Sequence, residues 1–341
     1  MRYKLFGKSG LRVSELCLGT MTFGTKGIEW GADYDTSKEI FDLYANMGGN
    51  FLDTANRYTD GTSELFLGEF IHEDRDHFVL ATKYSIRDKM GDPNYCGNHR
   101  KNLRRSIEAS LKRLKTGYID ILWLHAWDFT TPVEEVLRSL DDLISAGKVN
   151  YIGISNTPAW IIAQANTLAE LRGWSSFMGI QIEYSLLERT AEREILPLAK
   201  SFDLAITPWA PLGAGILTGK YLKKESGRLQ PGNYKLTPTS EKIASAVVEV
   251  AKDVGCSPAQ VALNWLRQKN QVVIPILGAR KLEQLKDTMG CLSFELDKNH
   301  LNQLSQVSAI DLGVPHEQLR KEASRQNLFG GTFESIDNHR S

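Results

Sequence analysis

The 341-residue chain is poor in the features that mark specialised proteins. It has four cysteines, Cys17, Cys96, Cys256 and Cys291. They are far apart, with no CxxC pair and no metal-ligand spacing, which argues against a disulfide framework and against a zinc site. Free thiols in a reducing cytoplasm are the expectation. Lys+Arg and Asp+Glu number 41 each, so the formal net charge is zero. That balance gives no support to nucleic-acid or anionic-membrane binding. The one basic run, RKNLRR at 100–105, falls within a helix pattern and reads as a solvated face. No apolar run approaches the ~18–20 residues that span a bilayer. The first ten residues, MRYKLFGKSG, lack the apolar stretch of a secretory signal.

What is present is ordinary in bulk, with 42% apolar and 24% charged residues, as in a globular enzyme-sized domain. Two short strand-like pieces flank Gly7–Gly10 and predict a hairpin over 2–6 and 11–14. A strand through 16–19 follows. Then helices and strands alternate. Strands are predicted at 50–55, 78–84, 118–124, 151–155, 177–184, 204–209 and 271–277. Helices are predicted near 35–48, 63–72 and 99–115, from Pro132 up to Gly147, from Thr157-Pro158 onward, and near 190–200, 239–254, 257–269, 281–290 and 297–308. Asn98 is the expected N-cap of the 99–115 helix. Thr131-Pro132-Val133-Glu134 reads as a capping box with proline at the first helical position. Eight apolar strands joined by helical crossovers imply a parallel sheet covered on both faces. Eight units favour a closed (β/α)8 TIM barrel, preceded by the β-hairpin. No composition break marks a second domain. One barrel domain over 1–310 and a polar, weakly periodic tail over 311–341 are expected, the tail wrapping the surface or partly disordered.

Several strands end in ionisable groups. Asp53 closes the second barrel strand, with Tyr58 just beyond. Lys83 lies near the end of the third, and His125 follows the fourth. Unpaired charges at the tips of buried strands are costly, so their convergence on one rim calls for a chemical reason. Tyrosine is a poor acid at neutral pH. A nearby ammonium lowers its pKa, a carboxylate holds the ammonium, and an imidazole orients a carbonyl. Such a set suits protonation of a developing alkoxide, as in hydride reduction of a carbonyl. It does not suit a metal, since only the histidine is a good neutral ligand.

Strands five to seven add Ser155, Asn156, Gln181 and Trp209. Hydroxyl and amide groups suit a carboxamide, and a tryptophan face suits a flat ring; together they outline a nicotinamide pocket. Gly213-Ala214-Gly215 through Gly219 imitates a dinucleotide fingerprint. Its spacing is GxGxxxG and it follows the seventh strand, so it reads as a flexible loop over a ligand. Gly278-Ala279-Arg280 after the eighth strand, opening a helix, suits an anion.

These stretches resemble the aldo-keto reductase family across roughly 3–310. The matching segments are Leu18-Gly19-Thr20-Met21-Thr22-Phe23-Gly24, Asp53-Thr54-Ala55 with Tyr58, Ala81-Thr82-Lys83, Leu124-His125, Gly153-Ile154-Ser155-Asn156, Gln181 with Tyr184, Pro208-Trp209-Ala210-Pro211-Leu212, Leu217-Thr218-Gly219-Lys220-Tyr221 and Gly278-Ala279-Arg280. LHAWDFTTP and QIEYSLLERT look most like the bacterial branch near aryl-alcohol dehydrogenases and potassium-channel β subunits. The resemblance implies an NADP(H)-dependent oxidoreductase interconverting carbonyl compounds and alcohols. It makes Tyr58 the general acid, with Asp53, Lys83 and His125 completing a tetrad. Cofactor contacts are implied for Gly19, Thr20, Met21, Asp53, Ser155, Asn156, Gln181, Trp209, Ala210, Leu212, Gly213, Gly215, Leu217, Lys220, Gly278, Arg280 and Gln284. Arg280 with Gln284 would hold the 2′-phosphate. Two positions depart from the family pattern: Ala210 stands where serine is common and Thr288 where asparagine is. Trp30, Tyr84, Trp127 and Phe129 are candidate substrate-pocket walls, suited to apolar, aromatic or sugar-like carbonyls. The competing reading is a cofactor-binding redox-sensing or regulatory subunit like the channel-associated branch, with oligomer formation compatible with either.

Overall fold

The computed structural model describes residues 1–26, 31–230, 232–269 and 272–338. The hairpin forms as β1 (Tyr3–Leu5) and β2 (Arg12–Ser14), paired antiparallel. Eight further strands follow: β3 (Cys17–Gly19), β4 (Phe51–Asp53), β5 (Val79–Tyr84), β6 (Ile119–Leu124), β7 (Val149–Ser155), β8 (Phe177–Glu183), β9 (Ala205–Trp209) and β10 (Ile276–Gly278). They form one parallel sheet in the order β10-β3-β4-β5-β6-β7-β8-β9. A parallel bridge between Ile206 and Val273 joins β9 to the approach to β10 and closes the ring. The expected strand over 271–277 is therefore shorter and later. Pro275, which has no N–H to donate, separates the bridge from β10, and residue 271 lies outside the described residues.

Around the barrel run α1 (Tyr34–Asn46), α2 (Thr62–Phe70), α3 (Arg100–Leu114), α4 (Val133–Ser145), α5 (Ala159–Arg172), α6 (Ile195–Ser201), α7 (Pro238–Val254), α8 (Pro258–Arg267), α9 (Leu282–Met289) and α10 (Lys298–Val307). The fold is the (β/α)8 barrel with N-terminal hairpin that the alternation predicts.

The hairpin plugs the N-terminal end of the barrel. Phe6 is fully buried and meets Phe51 and Trp123 edge-on, at centroid distances of 5.9 and 6.0 Å. Two glycines make the room. A Cβ on Gly179 would lie 2.4 Å from the Phe6 ring, and one on Gly153 would lie 2.2 Å from Trp123. The bottom of the barrel is thus filled with rings, and polar chemistry is confined to the other end.

Two expected caps are used differently. His99, not Asn98, caps α3 through its side chain. Asn98 donates its Nδ2 to Ala126 O (2.9 Å) and accepts Asp128 N (2.8 Å). The helix α4 begins at Val133 with no side-chain cap. Thr131 turns away from it and donates its hydroxyl to Asp128 Oδ2 (2.8 Å). Asn98 braces the loop after β5 against the loop after β6, whereas Thr131 closes a turn within the latter on Asp128, whose Oδ2 also accepts Asn98 N (2.7 Å). The tail carries α11 (His316–Arg320) and α12 (Glu322–Phe329). It is tied back by Arg193 to Asp311 O (2.8 Å) and by His316 to Glu194 (2.9 Å).

Candidate active site

Asp53, Lys83, Tyr58 and His125 meet at the C-terminal rim. Lys83 is fully buried, and its ammonium donates to Asp53 Oδ2 (2.5 Å), Thr54 O (2.7 Å) and Tyr58 Oη (3.1 Å). An ammonium has three hydrogens, and all three are engaged. Burial works against its charge, but Asp53 and Tyr58 outweigh burial and raise its pKa above the ordinary lysine value. Burial also pushes Tyr58 up, with the Lys83 ammonium pulling the other way. The net shift is upward, so the ammonium effect anticipated from sequence is present but outweighed by desolvation, and Tyr58 keeps its proton at neutral pH. The His125 ring stands edge-on to Tyr58, with centroids 6.1 Å apart and planes at 87°. Burial, reinforced by Lys83, holds His125 down to about 3, so the imidazole is neutral. Its Nδ1 is buried with no partner among the described residues.

The second group is tied to the first. Gln181 donates Nε2 to Asp53 Oδ1 (2.8 Å). Asn156 donates Nδ2 to His125 O (2.9 Å) and accepts Trp209 Nε1 (3.2 Å). Ser155 Oγ is buried and has no partner among the described residues. Buried hydroxyls are nearly always satisfied. An orphaned one beside two amides fits an exogenous carboxamide, which both donates and accepts.

The anion side lies across β9 and β10. Beyond β9, Ala210, Gly213, Ala214 and Gly215 all have positive φ, between 52° and 91°. A Cβ on Gly215 would lie 2.8 Å from Lys220 Nζ, so glycine lets that lysine lie against the loop. Lys220 and Arg228 are each pulled below their ordinary pKa, first by burial and then by the positive charge of Arg280. Three cations therefore gather where the sequence placed one anion-binding arginine. Arg228 was missed; its only signal was a basic residue in the Gly/Lys-rich stretch after β9. Gln284 accepts the Arg280 backbone N–H (2.9 Å), and Thr288 turns its hydroxyl onto Gln284 O (3.0 Å). No atom lies within 4 Å of a Cβ built on Gly278, leaving that backbone open.

Other expected residues have internal duties. Gly19 makes room for Ile276, 2.5 Å from its Cβ position. Thr20 is fully buried and its hydroxyl meets Asp53 O (3.1 Å) and Ser63 Oγ (2.8 Å). Leu217 is fully buried, whereas Met21 and Leu212 are half-buried. Of the pocket walls, Tyr84 requires correction: it is 1% exposed and packs in the apolar layer between barrel and helices. Neighbouring side chains on a strand face opposite ways, so Lys83 pointing inward sends Tyr84 outward. Trp127 is half-buried and Phe129 is 68% exposed with φ 56°. Trp30 lies outside the described residues.

Left-handed backbone in residues other than glycine concentrates at this rim, at Thr59, Asp60, Ser85, Phe129, Asn156, Ala210 and Ala214. Such strain clusters where function over-determines the backbone. Among the described residues no group of three or more His, Cys, Asp or Glu could hold a metal, and no helix is long and apolar enough to cross a membrane.

Fold and rim define the class: a (β/α)8 barrel whose polar chemistry is gathered at the C-terminal ends of its strands. Residues 15–309 match the aldo/keto reductase family, and the chain belongs to that family. It is 38% identical over 321 residues to norsolorinic acid reductase of Aspergillus flavus, covering 91% of this chain and 82% of that protein. It is 40% identical over 319 residues to norsolorinic acid reductase stcV of Emericella nidulans, covering 90% and 81%. An aryl-alcohol dehydrogenase [NADP(+)] of Phanerodontia chrysosporium is 37% identical over 329 residues, covering 90% and 86%.

Proposed function

We propose that this protein is an NADP(H)-dependent reductase of aromatic aldehydes or ketones, working reversibly on the corresponding alcohols. The observation that carries the reading is the buried Lys83 ammonium shared between Asp53 and the Tyr58 hydroxyl. A nicotinamide cofactor held at the rim supplies the hydride. Ser155, Asn156 and Gln181 would hold its carboxamide, Trp209 would take the ring, and Lys220, Arg228 and Arg280 would meet its phosphates, Arg280 the 2′-phosphate.

Tyr58 donates its hydroxyl proton to the substrate oxygen as negative charge develops there. The Lys83 ammonium stabilises the tyrosinate left behind, and Asp53 keeps that ammonium in place. His125, neutral because of its burial, offers a hydrogen bond to the same oxygen without competing as an acid. In the alcohol-oxidising direction the tyrosinate takes the proton back. Burial of Asp53 and Lys83 keeps water from screening these interactions. The name of the aryl-alcohol dehydrogenase relative points to an aromatic substrate, and Trp127 and the exposed Phe129 at the mouth suit a flat apolar ring.

The test is cofactor oxidation by purified protein offered a panel of aryl aldehydes and ketones. Turnover with NADPH well above that with NADH supports the reading. Tight NADPH binding without turnover on any carbonyl would favour a redox-sensing subunit instead.

A further inference from the structure

The residue after Tyr58 is the least expected of the rim's left-handed residues. Thr59 (φ 47°), Asp60 (φ 53°) and Gly61 (φ 88°) run consecutively in that region. Glycine adopts it freely and aspartate tolerates it, but a β-branched residue there is an outlier. Such a conformation persists only where the surroundings hold it.

The surroundings act through the Thr59 hydroxyl. The residue is buried, with 5% of its surface exposed. Its Oγ1 donates to Phe23 O (2.6 Å) and accepts Ser63 N (3.1 Å). The first bond ties the turn to the loop after β3; the second ties it to the start of α2, whose boundary residue Gly61 supplies no side-chain cap. Gly24 lets that loop approach, since a Cβ there would lie 3.0 Å from Thr59 Oγ1. Ser63 Oγ continues the network to Thr20 Oγ1 and Thr54 Oγ1, both at 2.8 Å. Thr20 and Thr54 flank the tips of β3 and β4, and Thr20 Oγ1 donates to Asp53 O (3.1 Å). A chain of hydroxyls thus connects the backbone of Asp53 to the turn that follows Tyr58.

The direction of the Tyr58 ring depends on that turn. If Thr59 relaxed to an ordinary backbone conformation, the peptide after Tyr58 would rotate and its hydroxyl would leave Lys83. We propose that Thr59 is a positioning residue, whose hydroxyl holds the left-handed turn that aims Tyr58 Oη at Lys83 Nζ. This rests on Tyr58 being the general acid. Thr59 acts through Tyr58, its own hydroxyl being engaged by Phe23 O and Ser63 N.

The experiment compares wild type, Thr59→Val, Thr59→Ser and Tyr58→Phe. Valine keeps the branched shape and removes both hydrogen bonds; serine keeps the bonds. Single-turnover rates, NADPH affinity, melting temperature and the pH profile of alcohol oxidation are measured for each. Thr59→Val should slow single turnover on the order of tenfold to a hundredfold, as a misplacement near 1 Å does, with NADPH affinity nearly unchanged. Its oxidation profile should shift to higher pH, because a hydroxyl withdrawn from the ammonium ionises less readily. Thr59→Ser should recover both. A Thr59→Val protein that melts earlier yet keeps the wild-type rate and pH profile overturns the proposal. Should that variant fail to fold, Thr59→Ala, which removes the hydroxyl and keeps the penalty on a left-handed backbone, takes its place: the same losses support the proposal and a wild-type rate and pH profile overturn it. Tyr58→Phe separates the two claims. If it turns over normally, the acid assignment fails; if it is inert while Thr59→Val is unaffected, only the role of Thr59 fails.

Discussion

Lys83 Nζ lies 2.5 Å from Asp53 Oδ2, and the two side chains are 0% and 4% exposed. A buried pair contributes little beyond apolar packing, but breaking one strands a charge. Lys83→Met should therefore destabilise the fold by about 3–5 kcal/mol in denaturant titrations. The double variant Asp53→Asn with Lys83→Met should lose less than the two single losses added together. A single-variant loss below about 1 kcal/mol, the size of a surface pair, would contradict the isolation of this pair from solvent.

His125 makes a prediction about acid. Its folded pKa is about 3, against an ordinary 6.5. Between those values the unfolded chain binds a proton that the folded chain refuses. Stability therefore falls as pH drops through that window and levels off below it. At pH 5 the loss from this residue is up to about 2 kcal/mol, and His125→Gln should flatten the slope by that amount. The same shift predicts that carbonyl reduction shows no inflection near pH 6.5. An inflection there that vanishes in His125→Gln would show a histidine that titrates.

The cation group predicts a split between cofactors. Arg280→Met should weaken NADPH binding about tenfold to a hundredfold, the scale of one charged hydrogen bond, and leave NADH nearly unchanged. Lys220→Met should weaken both, because the pyrophosphate is common to them. Tryptophan quenching during titration reads each affinity. Equal losses for the two cofactors in Arg280→Met would remove its discriminating role.

The barrel was legible because each apolar strand is bounded by its own helix and turn signals, and eight such units leave few other architectures. The rim was legible where a residue is costly to bury: Asp53, Lys83 and His125 announce themselves. Tyr84 could have been excluded from the pocket by alternation alone, given an inward Lys83. Thr131 spends its hydroxyl on Asp128, three residues back, instead of on the helix. Asn98 could not have been read correctly, because its partners, Ala126 and Asp128, come from the next strand's loop. Nor could Thr59, since Asp60-Gly61 signals a turn but not that a threonine joins it. That Ser155 Oγ has no partner among the described residues is a three-dimensional fact, and its serine reads equally well as a helix-approach residue.

Whether Tyr58 delivers the proton is decided by single-turnover reduction of an aryl aldehyde by wild type and Tyr58→Phe, each preloaded with NADPH. The variant's rate should be lower by on the order of 10²–10⁴, with NADPH affinity and melting temperature unchanged. A rate within a few-fold of wild type would contradict this and move the acid role to another group at the rim.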